Sequence, residues 1–564
     1  MNNGTDAAFL AAVHAGLDRE VRAIVAEAGD GGEAWRRLQH RRLAERIKAL
    51  VTAWRRDPAT GDDLLGHALT LAGLLRDLQG ASGLFRGGDN VDSPPDSAFS
   101  VNDLADVAFL LREHDGPLRA ALGELLAAVT PALVKGGVHT PNHRWELSAA
   151  LARLHRLAPD PALADRVAQW LAEGVDIEDG LYSERSSNYA AAVSNPSLLV
   201  IADVFEQPDL LDAVEQNLTA TLDLLLPDGA VETVLSRRQD QKGAAYLAPY
   251  LVPLRRLALL RGRGDLAWAA GLALAQGVHE PGHVAAELLL HPEIGAELPS
   301  PVAPALPRHR HFAAAGTLLR HHPAVTTVVF GGSDYARHGR IRSGLANSPT
   351  FLRMFAGNAV LDSVRLSRTF FGLGPFRAEG LTMEESGVVL QERVSAAYYQ
   401  PLAPGDRRAD ARYPVVDDGR FSAAMDFGRR GRDEVALTTT VRVEPHADGA
   451  ELTVDVAGAT VDWCLELAFR PGGTMTGARA LGDGRWQLDP GHHDVDAVRA
   501  EYRVGEDVLS VTVTGPVPES ESTAGYHPGE DYEFLGGTDA ASGERLYVSG
   551  KAPGRLRMHI GRGF

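Results

Sequence analysis

The feature that most limits what this chain can fold into is a change of grammar at one short segment. Leu298-Pro299-Ser300-Pro301-Val302-Ala303-Pro304-Ala305-Leu306-Pro307 carries four prolines, too many for a helix or a central strand, and reads as a linker. Before it the chain is rich in Ala and Leu at helical spacing. Leu71, Leu74, Leu75 and Leu78 make one stripe, and Leu118, Leu122, Leu125, Leu126 and Val129 another. After it come β-branched runs bounded by Gly, Asp and Pro, such as Thr326–Phe330, Val435–Val443 and Leu509–Val513. The expected organisation is helical over 1–298, linker over 299–308 and a large antiparallel β-sandwich over 309–564. Medium helices with short connections, and no fixed-period repeat, favour an α/α toroid of hairpins over a solenoid.

Composition narrows the function classes. Of 564 residues, 74 are acidic and 56 basic, a net charge of −18. Such a surface argues against non-specific nucleic-acid binding and against docking on anionic lipid, both of which need clustered Lys and Arg. The single cysteine, Cys464, excludes an internal disulfide and a Cys-rich zinc framework. The first residues lack the basic and apolar regions of a secretory leader, and no run approaches ~18 consecutive apolar residues. The expectation is a cytoplasmic protein, or a secreted one if a leader was removed.

Three polar segments interrupt the apolar helical half. Pro141-Asn142-His143-Arg144-Trp145-Glu146 suits a helix start, with His143 and Glu146 at i,i+3 on one face. The competing reading is a helix whose His and Glu satisfy each other. Asp179-Gly180 signals a turn, and the helical run after Tyr189 puts that phenol near a helix N-terminus, where backbone dipoles ease it toward phenolate. A tyrosine simply anchoring a loop explains the pattern equally well. Arg237-Arg238-Gln239, following Pro227-Asp228-Gly229, offers forked donors for a carboxylate or sulfate, or else a solvated face. In the β half, Arg337, His338, Arg340 and Arg342 form a basic cluster, read either as a ligand-facing loop or as a charge-protected edge strand. The run Arg36 to Lys48 is as basic and reads as an exposed helix face.

In order and spacing these segments resemble the heparinase II/III-like polysaccharide lyases, a group that includes certain alginate lyases. The carriers are Asn142-His143-Arg144-Trp145-Glu146, then Asp179-Gly180, Glu184 and Tyr189 some 46 residues after His143, then the helical-to-β layout. The resemblance implies a toroid joined to a β-sandwich, a site in the cleft of the two, and cleavage of a 1,4-linkage to a uronic acid by β-elimination. It implies Tyr189 as catalytic acid, and as base when both transfers occur on one face of the sugar. His143 is then the alternative base, and Asn142 and Glu146 neutralise the uronate carboxylate. Arg185, Asn188, Arg237, Arg238, Gln239, His338 and Arg342 are the candidate substrate-binding residues. The partner implied is an anionic uronic-acid-containing poly- or oligosaccharide, and no cofactor is required. One departure stands out: the family's His-x-His pair, where some relatives hold a structural metal, is replaced here by Arg342-Ser343-Gly344-Leu345-Ala346-Asn347. Asp362 of the following strand is retained, and His338 is offered as the substitute imidazole. Two other readings stay open: a glycoside hydrolase using Glu146 with Glu184 or Asp179, and a non-catalytic carbohydrate-binding relative.

Overall fold

The computed structural model describes residues 4–30, 32–59, 63–339, 341–488, 497–515, 525–529 and 542–563. The chain divides into two compact units. One comprises residues 1–225, 229–231 and 245–304, the other 226–228, 232–244 and 305–564. The chain therefore enters the β unit before the proline-rich stretch, in a short excursion over residues 226–228 and 232–244, and again after it. Sequence patterning had no means to detect that excursion, because a loop carries no periodicity.

Within the helical unit, twelve helices of ten or more residues occur among the described residues: α1 (Ala7–Glu27), α2 (His40–Arg56), α3 (Leu64–Leu78), α4 (Pro94–Leu110), α5 (Pro117–Lys135), α6 (Pro141–Leu157), α7 (Pro161–Leu171), α8 (Asn195–Phe205), α9 (Pro208–Asp223), α10 (Leu251–Arg261), α11 (Gly264–Ala275) and α12 (Pro281–Leu290). Six of them open on a proline (α4, α5, α6, α7, α9 and α12), whose missing N–H would have had no partner in the first turn anyway. Successive helices pair as hairpins, and α2, α4, α6 and α8 pack one on the next. The ring closes because α12 packs on both α1 and α2. The even-numbered helices line the inside. This is why α4 and α6 are buried around almost their whole circumference and carry little amphipathic contrast. α5 is long and apolar enough to cross a bilayer by length and composition. Here its Leu118, Leu122, Leu125, Leu126, Val129 and Leu133 face is buried within the unit.

The run Arg36 to Lys48 departs from its expected exposure. Arg36, Arg37 and Arg42 are exposed, but His40 and Lys48 are buried, because α2 is an inner helix and these two face inward.

Among the described residues the C-terminal unit contains an eight-stranded and a nine-stranded sheet. Strand Arg432–Pro445 shows the alternation of a half-buried strand, with Leu437, Thr439, Val441 and Val443 inward. Residues of both sheets, among them Leu352, Val364, Leu437, Val454, Leu467 and Leu556, make one apolar core. Pairing is antiparallel throughout the two sheets except where Arg485–Gln487 runs parallel to Glu544–Lys551. The Tyr335–Ser343 segment forms a one-turn helix, Tyr335–His338, in place of the edge strand weighed above. Arg340 lies outside the described residues.

Candidate active site

The first turn of α6 is set by Thr140 and Pro141. Thr140 is extended, and its hydroxyl donates to Asn142 Oδ1 at 2.7 Å. Asn142 is 1% exposed, and its Nδ2 has no hydrogen-bond partner among the described residues, a donor held in reserve at appreciable cost. His143 meets the His139 ring edge-on at 4.7 Å between centroids and lies edge-on to Phe99. One turn on, the buried Glu146 carboxyl accepts a hydrogen bond from Asn102 Nδ2 of α4.

That bond is the end of a longer chain. Asn102 Oδ1 accepts from Arg153 Nη1 at 2.9 Å, and Arg153 Nε donates to Asp106 at 2.9 Å. Asp106 also takes Lys48 Nζ at 3.0 Å and Arg156 Nη2 at 2.8 Å. Lys48 reaches Asp103 as well, at 3.2 Å, and Asp103 lies 2.8 Å from His283 Nε2. Four inner helices, α2, α4, α6 and α12, are thereby tied together through side chains.

Burial disfavours ionised Asp106, but Arg153, Lys48 and Arg156 outweigh it and hold the carboxyl well below the usual range. Burial likewise opposes the Lys48 ammonium, and Asp106 and Asp103 more than restore it. Glu146 has no such cation in contact. Burial pushes it up to about 7, with only partial relief from Asn102 and Arg153. One carboxyl of the network is thus poised to be neutral near neutrality while its neighbours stay charged.

Glu146, Asn102, Arg153, Lys48, Asp103 and His283 are among the residues that line a cavity of about 510 Å³ inside the helical unit. The lining also has apolar members, Leu199 and Val200 from α8 and Val252 and Pro253 from α10. A mixed pocket of this size is what a ligand with both apolar faces and polar groups requires.

Tyr189 ends a short helical turn, Ser187–Tyr189, capped by Ser186, whose hydroxyl accepts from Tyr189 N at 3.1 Å. The helix then widens into a π-turn over Ala190–Ser194 before α8 begins, an irregularity frequent at functional sites. Ala191 and Ala192 of this turn are in the cavity wall, and the turn packs on α6. The preceding loop is pinned: the Tyr250 hydroxyl donates to Ser187 O at 2.8 Å, and Asn217 Nδ2 to Gly180 O at 3.1 Å. Gly180 has φ +83°, and a Cβ there would sit 2.7 Å from Gln216 O, so no other residue fits this turn.

Of the four residues singled out for catalysis, Glu146 lines the cavity. Asn142 and His143 sit on the turn before it, and Tyr189 lies two residues before the wall. Arg185, with φ +50°, is half-buried and Asn188 exposed on the loop leading to Tyr189. Glu184 is buried and Asp179 half-buried, both outside the cavity lining.

Arg237, Arg238, Gln239, His338 and Arg342 belong to the C-terminal unit. There the Arg237 fork is engaged by Asp334 through Nε at 2.8 Å and Nη2 at 2.9 Å. Arg238 and Gln239 are half-buried, and His338 and Arg342 exposed. Asp362 pairs with Arg353 at 3.1 Å and Arg470 at 2.9 Å. Among the described residues no group of three or more His, Cys, Asp or Glu is placed to hold a metal ion.

The sequence reading missed Asn102, Asp103, Asp106, Lys48, Arg153 and His283. A signal was present in Val101-Asn102-Asp103-Leu104-Ala105-Asp106, where polar groups at helical spacing interrupt an apolar run.

No family model and no curated protein matches this sequence. Its structure matches solved ones. Heparinase III aligns at TM-score 0.53 with 12% identity, over 92% of this chain and 76% of that one. The Streptomyces coelicolor A3 chondroitin AC lyase, solved in complex with chondroitin sulphate, aligns at 0.53 with 16% identity, over 98% and 79%. A Paenibacillus xanthan lyase aligns at 0.53 with 9% identity, over 99% of this chain and 56% of its own. The fold is that of the heparinase-like polysaccharide lyases, an α/α toroid followed by a β-sandwich.

Proposed function

We propose that this protein is a polysaccharide or oligosaccharide lyase that cleaves a 1,4-linkage to a uronic acid by β-elimination. The observation that carries the reading is the pairing of two elements: α6, which opens with Asn142, His143 and Glu146, packs against the π-turn that follows Tyr189. The fold shared with heparinase III and chondroitin AC lyase supports it.

In the proposed reaction the proton on C5 is removed, C4=C5 forms, and the C4–O4 bond breaks with a proton delivered to O4. The proton on C5 is acidic only if the adjacent carboxylate is neutralised as negative charge builds on it. The Asn142 amide donor and a protonated Glu146 supply that neutralisation. Tyr189 protonates the departing O4, and it also takes the C5 proton when both lie on one face of the sugar. His143 is the base when they do not. A Glu146 at about 7 donates below that pH and repels the substrate carboxylate above it, so turnover falls as pH rises through 7.

The test is incubation with alginate, glucuronan, glycosaminoglycans and rhamnose–glucuronate polymers under ultraviolet detection, since elimination creates a conjugated unsaturated uronate. Tyr189→Phe abolishes the absorbance with the fold intact; full activity in that variant refutes the assignment. One observation favours a second reading, hydrolysis. Glu146 and Asp103 line the same cavity with carboxyls shifted in opposite directions, the pattern of an acid and its ionised partner. Loss of reducing-sugar release in Glu146→Gln, without any absorbance change in the wild type, selects it. Glu184 and Asp179, the partners first considered, lie outside this cavity lining, and Asp103 lies within it.

A further inference from the structure

The C-terminal unit carries a chain of aromatic contacts that the proposed reaction does not use. Tyr398 lies 5.7 Å from Phe371 between ring centroids, and Phe421 lies 5.9 Å from Phe427, which in turn is 4.6 Å from Tyr399. The Arg420 guanidinium bridges the two halves, 5.3 Å from the Phe371 centroid and 5.1 Å from that of Phe421. It is fixed from behind by Asp418 at 3.0 Å and by the Ala397 carbonyl at 3.1 Å. Asp418 is held in turn by the backbone N–H groups of Arg420 and Phe421 and by the Tyr399 hydroxyl.

Despite this support the outer rings are not covered: Tyr398 is 63% exposed, Phe421 50% and Phe371 36%. Phe371 adopts φ +52°, a left-handed conformation that is unfavourable for a bulky residue and that its surroundings must impose. Contiguous exposed apolar surface of this kind is where proteins commonly bind partners or ligands.

We propose that Tyr398, Phe371, Arg420 and Phe421 form a glycan-docking platform on the β unit, separate from the helical-unit cavity. Three partly exposed aromatics offer roughly 300 Å², given about 150–250 Å² per ring. That is well short of the ~800 Å² per partner that a stable protein interface buries, and suits the footprint of a few sugar residues. Pyranose C–H faces stack on the rings. The guanidinium at its centre is already paired, Arg420 with Asp418, so the platform offers polar groups to hydroxyls without an unpaired charge. Because the rings are fixed in advance, little side-chain entropy is lost on docking.

The experiment uses the full chain in the Tyr189→Phe background, run through native gels containing alginate, glucuronan or chondroitin sulphate. The expected result is retardation by at least one polymer, weakened tenfold or more in apparent Kd by Tyr398→Ala with Phe421→Ala. With Tyr189 restored, the same pair raises KM for that polymer and leaves kcat on short oligosaccharides unchanged. Unaltered retardation in the double variant overturns the proposal, as does no retardation by any of the three polymers. Sedimentation that shows a dimer dissolved by the double substitution overturns it too, making the patch a contact between copies. Absorbance and retardation are independent readouts: retardation without absorbance sinks the lyase reading and leaves the platform standing.

Discussion

The two units bury charge in different ways. In the β unit, Arg365 and Glu466 are directly opposite on neighbouring strands and pair at 2.7 Å, and Arg368 is matched by Glu392. Each cation has one carboxylate, and the apolar core beside them is continuous. In the helical unit, Asp106 alone accepts from Lys48, Arg153 and Arg156, while Glu146 receives only an amide. At these two positions the β unit balances buried charge pair by pair, and where its charges form a network, Arg353 and Arg470 share Asp362 with Glu232 and Asp228, so that cations and carboxylates still alternate. The helical unit leaves an imbalance, and that imbalance sits on the wall of a cavity. Uneven distribution of counter-charge is how a protein gives one carboxyl an unusual proton affinity. It also concentrates the cost of the polar interior in a few residues.

The largest effect expected from this contrast is at Asp106. Asp106→Asn keeps the shape but leaves buried Lys48 with Asp103, buried Arg153 with Glu287 at 3.8 Å, and takes the paired carboxylate from Arg156. Removing one partner of a buried network costs about 3–5 kcal/mol. Urea denaturation followed by helical circular dichroism should show a correspondingly lower midpoint. A cost under about 1 kcal/mol would mean that the network is solvated, and the contrast between the units would fail.

Next in size is Leu467→Ala in the sandwich core, where the residue is fully buried. Deleting a buried leucine side chain costs about 2.7–5 kcal/mol, depending on how far the site collapses. If the β unit is scaffold with respect to the cavity, activity per folded molecule is unchanged. A kcat that falls in proportion to stability would place reaction chemistry in this unit instead.

How much of this was legible in the sequence follows from the range of each interaction. The helical and β halves were visible because amphipathic stripes and alternating strands are local patterns, and Pro141 marked the start of α6 for the same reason. Residues 226–228 and 232–244, which sort with the β unit, were not, since that grouping depends on contacts far along the chain. The site divides similarly. Asn142, His143 and Glu146 are within one turn and could be read together. Lys48, Asp103, Asp106, Arg153 and His283 come from four helices separated by up to most of the unit, and only closure of the ring assembles them. The basic run at Arg36 to Lys48 misled because the side-chain character of Lys48 suggests water, while its position on an inner helix dictates burial. Arg237 read as a free fork, yet Asp334, nearly a hundred residues on, engages it.

The smallest and most selective expected effect is at Glu146. Unfolded, this carboxyl titrates near 4.5; folded, at about 7. Below 4.5 it is protonated in both states and contributes no penalty. Between 4.5 and 7 the unfolded chain releases a proton that the folded one retains, so stability falls as pH rises, and above 7 the loss is complete. At about 1.4 kcal/mol per pH unit, the total is on the order of 3 kcal/mol. Glu146→Gln keeps an oxygen to accept from Asn102 and has no proton to lose, so it should match the wild type at pH 4.5 and exceed it at pH 8. Thermal unfolding of both proteins across that interval measures the difference directly. Parallel pH profiles would show that Glu146 is ionised alongside Asp106, and the helical unit would then balance its charges as evenly as the sandwich does.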